Sequence, residues 1–224
     1  MNELLQYSDV WLIGAGGKTT LMFRLAAAWA ARHETVLCTT TTRMLPPTAE
    51  QCPDLRVDAL ALLVADLRQR PAPMVTVASS IGDGKCIGFS ADEALSLKSE
   101  AHHLVVEADG AAGCPVKAHA SHEPVLASAA SCVVAVVGSW CVGNSLAPGH
   151  VHRPERFAVL SGRSLGSAIT ASDVANVILH EEGWLLTVPI TAAFHVVVTG
   201  GDAAIVRALE RHPRASRMAG VHLA

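Results

Sequence analysis

Apolar residues fall along this chain in short unbroken runs, separated by stretches in which they recur every three or four positions. The runs Val10–Ile13, Thr35–Cys38, Met74–Ala78, Leu104–Ala108, Cys132–Val137 and His195–Val198 predict strands. Several show no polar alternation, the pattern of strands covered on both faces. Between them, Thr19–Ala31 sets Met22, Leu25 and Trp29 along one side of a helix. Asp58–Gln69, Ala91–Glu100, Ser172–His180 and Ala203–His212 also have helical spacing. Thr170, three residues before Asp173, supplies a capping signal, and Pro213 stops the last helix. Alternating strands and helices predict an α/β fold: a mainly parallel sheet in three layers, with helices on both faces. Two parts break the pattern. Asp83-Gly84 in "IGDGKCIGF" predicts a β-hairpin, read as an antiparallel addition at a sheet edge. Residues 138–166 are weakly patterned and predict a small helical lobe, extending over 138–190 within a single domain, 1–224.

Composition changes this picture little. Aromatic residues make up 4% of the chain, so Val, Leu, Ile and Ala must fill the core. The net charge is −3 with no basic run, which argues against nucleic acid as a partner. No apolar stretch reaches the roughly 18 residues needed to span a bilayer, so no membrane partner is expected. The start, "MNELLQYSDV", lacks the basic-then-apolar form of a secretory signal. The six cysteines include no C-x-x-C pair, and several lie inside predicted strands and read as small core residues. A cytoplasmic setting is expected.

The chemistry is concentrated in "VWLIGAGGKTTLMF". A strand ends in Gly14-Ala15-Gly16-Gly17, whose glycines let the backbone fold round an anion. Thr19 begins a helix, so its first N–H groups face the same point. Lys18 adds a charge suited to β- and γ-phosphate oxygens, and the Thr19 hydroxyl is placed to bind Mg²⁺, with Thr20 beside it. The common G-x-x-x-x-G-K-[ST] form would need glycine at position 12, which is Leu12; the loop here is the shorter G-x-x-G-K-T-T.

Such a site needs an acid at the end of a neighbouring strand. "HHLVVEADGAAG" supplies Glu107 and Asp109. Asp109 is expected to contact Mg²⁺ directly or through water, and Glu107 to orient a water or shape the site. In "TVLCTTTTRM", Thr40 and Thr41 follow the second strand at the same predicted edge; they are read either as ligand-binding hydroxyls or as plain β-formers. Asp109 to Pro124 is a long loop of little pattern, which suggests function. In it Lys117 and His122 are candidate substrate or phosphate contacts, and Arg153 is a candidate for stabilising phosphate charge. Asp202 is read as a cap on the helix that follows it.

Together, "GAGGKTT", "TTTTRM", "EADGA", "VKAHASHEP" and "HRPE", in this order, resemble the YqeC family over roughly Leu12 to Val198. Its members are accessory proteins of selenium-dependent molybdenum hydroxylases. The resemblance implies a P-loop NTPase-like fold and a role in maturing a selenium-containing molybdenum site, with a molybdenum hydroxylase or its maturation proteins as partners. The chain departs from the family at His119, where a proline is common, and in "VVVTGGD", where Thr199 and Asp202 stand in place of an Asn and Asp pair. The leading expectation is a Mg²⁺-dependent protein that binds and hydrolyses ATP or GTP. An NTP-dependent ligase or kinase is an alternative, since the short loop also resembles that of the Mur ligase group. A non-catalytic nucleotide-sensing adaptor is another.

Overall fold

The structure is a computed structural model and describes residues 2–224. In chain order the strands and helices are β1 (Asp9–Gly14), α1 (Lys18–Ala30), β2 (Val36–Thr40), β3 (Arg43–Met44), β4 (Leu55–Val57), α2 (Leu60–Gln69), β5 (Met74–Ala78), β6 (Ser80–Gly82), β7 (Lys85–Ile87), α3 (Ala91–Ser96), β8 (His103–Glu107), β9 (Val116–Lys117), β10 (Cys132–Gly138), β11 (Val151–His152), α4 (Pro154–Ser161), α5 (Ala171–Leu179), β12 (Ala193–Thr199), α6 (Ala204–Glu210) and β13 (Gly220–Leu223). The protein is α/β, with mostly parallel strands flanked by helices.

The chain forms two compact units and passes between them several times. The first takes the segment ending at Leu12, then Thr19–Gly110 and Val125–Cys132; the second takes Ile13–Lys18, Ala111–Pro124 and Val133–Ala224.

In the first unit the strands run in the order β4-β5-β2-β8-β1, every neighbouring pair parallel. Every residue of β1, β2 and β8 is buried, which explains their unbroken apolar runs. α1 buries Leu21, Met22, Leu25, Ala26 and Trp29, the face its spacing predicts. Trp29 stacks on His103 at 4.4 Å between ring centres and donates its N–H to the Leu5 carbonyl. α3 opens on a full capping box between Ser90 and Glu93.

β1 starts with a buried charge. Asp9 is fully buried, and its carboxylate accepts from Lys98 Nζ (2.6 Å), Ser131 N–H (2.8 Å), Ser131 Oγ (2.8 Å) and Trp11 Nε1 (3.0 Å). Burial alone would raise this carboxyl, but the Lys98 ammonium and the Ser131 donors outweigh it and hold the group below the usual carboxylate range.

The Asp83-Gly84 turn does join two antiparallel strands, β6 and β7. Both residues have positive φ, 51° and 71°, as a two-residue hairpin turn of this kind requires. The hairpin does not extend an edge of the parallel sheet as expected. It pairs instead with β3, Arg43 opposite Ile87 and Met44 opposite Cys86, in a separate three-stranded sheet. The two-residue β3 is too short to leave a pattern, so the partner was invisible in the sequence.

In the second unit the strands run β13-β12-β10, with β12 and β13 parallel, and β9 and β11 form a separate parallel pair. Its helices are α4, α5 and α6, and α5 opens on the Thr170–Asp173 capping box. All six cysteines are buried free thiols. Among the described residues no helix is long and apolar enough to cross a membrane.

Candidate functional site

The glycine loop closes β1 and opens α1 at Lys18. Gly14 and Gly16 have φ of 94° and 80°, a region that side chains disfavour. Space forbids a side chain as well. A Cβ on Gly14 would lie 2.5 Å from Cη2 of Trp184, and one on Gly16 would meet the Gly138 backbone and stand 2.7 Å from the Pro115 carbonyl. The loop is held by hydrogen bonds within its unit: Ala15 N–H donates to Val136 O at 2.8 Å, and the Thr199 hydroxyl donates to Gly16 O. Trp184, fully buried in a single 3₁₀ turn (Trp184–Thr187), backs Gly14 and lies 5.0 Å from the His119 ring. Lys18 is buried, and its Nζ donates to Gly14 O at 2.7 Å, across the mouth of its own loop. Gly17 and Thr20 are exposed.

Thr19, the next residue of α1, belongs to the first unit. Its hydroxyl donates to Glu107 Oε2 at 2.7 Å. This contact follows from strand order: β8 lies between β1 and β2, and register sets Glu107 level with Leu12 on one side and Thr40 on the other. The acid brought to Thr19 is therefore Glu107, the last residue of the strand. Asp109, two residues on, is fully buried.

The threonine run works mainly as cross-ties between strand ends. Thr39 Oγ1 donates to Val77 O, Thr40 Oγ1 to Glu107 O, and Thr41 Oγ1 to Val125 O, at 2.7–2.9 Å. These bonds engage the Thr40 and Thr41 hydroxyls with main-chain carbonyls and fix the backbone on which Glu107 stands.

In the second unit the polar loop gathers a charged cluster. Lys117 on β9 is fully buried and donates to Glu123 Oε2 at 2.6 Å. Arg153, just after β11, forks onto both Glu123 oxygens at 2.6 and 3.0 Å. β9 and β11 set these cations close together through the Lys117–His152 register. Burial would raise the Glu123 carboxyl, but Arg153 and then Lys117 outweigh it and hold it low. His122 is exposed and outside this cluster. Cys114 is buried, and burial pushes its thiol up, so it is a poor nucleophile at neutral pH.

The Glu123 cluster predicts an acid limb in stability. A carboxyl held low in the folded state contributes stability above its ordinary value of 4.5, and this is lost as pH falls through the folded value. Urea melts at pH 7 and at successively lower pH below 4.5 are expected to show a steeper acid loss in wild type than in Glu123→Gln. Parallel curves would remove the linkage.

A family model described as YqeC protein matches residues 10–155. The chain belongs to the YqeC family. A curated relative from Escherichia coli (strain K12), named "Uncharacterized protein YqeC", is 34% identical over 180 residues, covering 80% of this chain and 70% of its own length. No solved structure matches the chain. The YqeC match takes in the glycine loop, Glu107, Asp109, Lys117, Glu123 and Arg153, and ends before Trp184 and Thr199. Those last two support the loop from distant sequence. Thr199 stood out only as the residue in place of the family's Asn, and Trp184 carried no local signal.

Proposed function

We propose that this YqeC-family chain binds ATP or GTP with Mg²⁺ at the start of α1 and hydrolyses the terminal phosphoanhydride. The Thr19–Glu107 hydrogen bond, 2.7 Å long, carries the reading. It ties the threonine that follows a glycine loop and a lysine to an acid on the adjacent strand. The loop backbone from Gly14 to Gly17, Lys18 and the N–H groups of the first turn of α1 suit the phosphates. Thr19, Glu107 and Asp109 offer the hard oxygens that Mg²⁺ takes. The bound ion would neutralise charge on the phosphate oxygens. In the reaction water adds to the γ-phosphorus, the bond to the β-phosphate oxygen breaks, and nucleoside diphosphate and phosphate leave. Glu107 fixes the Thr19 hydroxyl, and Lys18 supplies positive charge at the γ-phosphate. Maturation of selenium-dependent molybdenum hydroxylases is proposed as the setting on the family resemblance. A molybdenum hydroxylase or its maturation proteins would be the partner.

Melting curves with ATP, GTP and their diphosphates, with and without Mg²⁺, test the binding. Ligand at a hundred times its dissociation constant stabilises by about 2.7 kcal/mol. For a chain of this size that is roughly 5–10 °C. No rise with any nucleotide would reject the reading. Release of free phosphate supports hydrolysis, whereas a phosphorylated small molecule would favour the kinase or ligase alternative and tight binding without turnover the adaptor.

A further inference from the structure

We infer that Trp140 is the surface on which the nucleobase stacks when a nucleoside triphosphate occupies the glycine loop; the inference rests on the nucleotide reading above. Trp140 stands in the 3₁₀ turn Ser139–Cys141 directly after β10 and is 52% exposed, whereas Trp11, Trp29 and Trp184 are fully buried. Exposing an indole forfeits the burial that normally draws it inward. Yet this ring is firmly seated. A Cβ on Gly138 would lie 2.7 Å from its Cη2 and Cζ2, and one on Gly200 would lie 2.8 Å from its Cε3. The six-membered ring therefore rests on two glycine backbones, at the ends of β10 and β12. The turn beneath is pinned, with Val142 N–H donating to Ser139 O and Asn144 Nδ2 to Trp140 O.

The same two strand ends carry the phosphate loop. Gly16 packs on the Gly138 backbone, and Thr199, the residue before Gly200, donates its hydroxyl to Gly16 O. The exposed ring and the loop thus share their supports within one unit, at the carboxyl ends of the strands, where α/β folds take ligands. A fixed, half-exposed indole beside a phosphate loop suits a base, because every base has a π-face and stacking needs no particular hydrogen-bonding edge. The nearby acid that could have read a guanine edge is engaged: Asp202 Oδ1 accepts from Ala204 N–H at 2.8 Å, in the turn leading into α6. The Ala203 cap position itself has no side-chain bond, so Asp202 acts one residue earlier than a standard helix cap. Stacking without edge readout predicts similar affinity for ATP and GTP.

Calorimetric titration of wild type, Trp140→Ala and Trp140→Phe with MgATP, MgGTP and magnesium tripolyphosphate tests this. Tripolyphosphate has the phosphates without the base. Trp140→Ala is expected to weaken both nucleotides roughly 5–150-fold, to leave tripolyphosphate unchanged, and to be largely rescued by Phe. Equal weakening of tripolyphosphate would mean that Trp140 merely shapes the loop, and unchanged nucleotide affinity would mean that the base lies elsewhere; either overturns the inference. Wild type that binds neither nucleotide nor tripolyphosphate would instead reject the nucleotide reading and the inference with it.

Discussion

Replacing Lys18 with Ala is expected to remove measurable binding of MgATP and MgGTP while leaving the fold intact. The substitution deletes the loop's one full positive charge, and charge-assisted hydrogen bonds to phosphate are worth about 1.5–3 kcal/mol each. Two such bonds correspond to at least a hundredfold, with about 1.4 kcal/mol for each factor of ten. The cost to folding is smaller, because the Lys18 amine donates to Gly14 O, a carbonyl at the mouth of the loop. Calorimetric titration of folded Lys18→Ala, its fold checked by circular dichroism, gives the answer. Wild-type affinity in this variant would overturn the nucleotide reading outright. Thr19→Ala makes the complementary case: loss of Mg²⁺-dependent affinity with Mg²⁺-free binding retained is the pattern expected if the Thr19–Glu107 pair serves the ion.

The largest effect on stability is expected at Asp9, at the opposite end of the same strand. Asp9→Ala leaves the half-buried Ser131 N–H and the buried Trp11 indole N–H without their acceptor and takes the ion-pair partner from the half-buried Lys98. Leaving these two donors unpaired costs about 2–6 kcal/mol, a large part of the ~5–15 kcal/mol that holds a domain folded. For a chain of this length the melting temperature should fall by roughly 4–24 °C. Asp9→Asn, which keeps the shape and one acceptor, should lose less. Nucleotide affinity measured below the new melting point should not change, because Asp9 begins β1 and the loop follows its end. A melting temperature within a degree or two of wild type would show that the cluster contributes little.

The Asp9 cluster illustrates what was hidden in the sequence. Nothing near Asp9 marks Ser131 as its partner 122 positions away, and only the folded chain brings them together. The opposite holds for the glycine loop. Strand, glycines, lysine, threonine and helix follow one another in the chain, so the local backbone preferences that build the loop are readable without tertiary contacts. The principal strands and helices were legible for a similar reason, since burial on both faces imposes apolar runs. β4, with three residues, and β13, with four, were not legible, because so short a strand carries no period and is defined only by its neighbour.

The sequence by itself determined the α/β class, the loop and its lysine, the acids at and just past the end of β8, and membership of the family. Each is written in short runs of consecutive residues or in the order of such runs. Tertiary structure decided which acid meets Thr19, because strand order and register, rather than chain spacing, put Glu107 level with Thr40 and Leu12. It also assigned the threonine hydroxyls to main-chain carbonyls, joined Lys117 and Arg153 through Glu123, and set Trp140 on two glycines beside the loop. All of these depend on contacts between residues far apart in the chain, and the free energy of such contacts exists only once the intervening chain has folded.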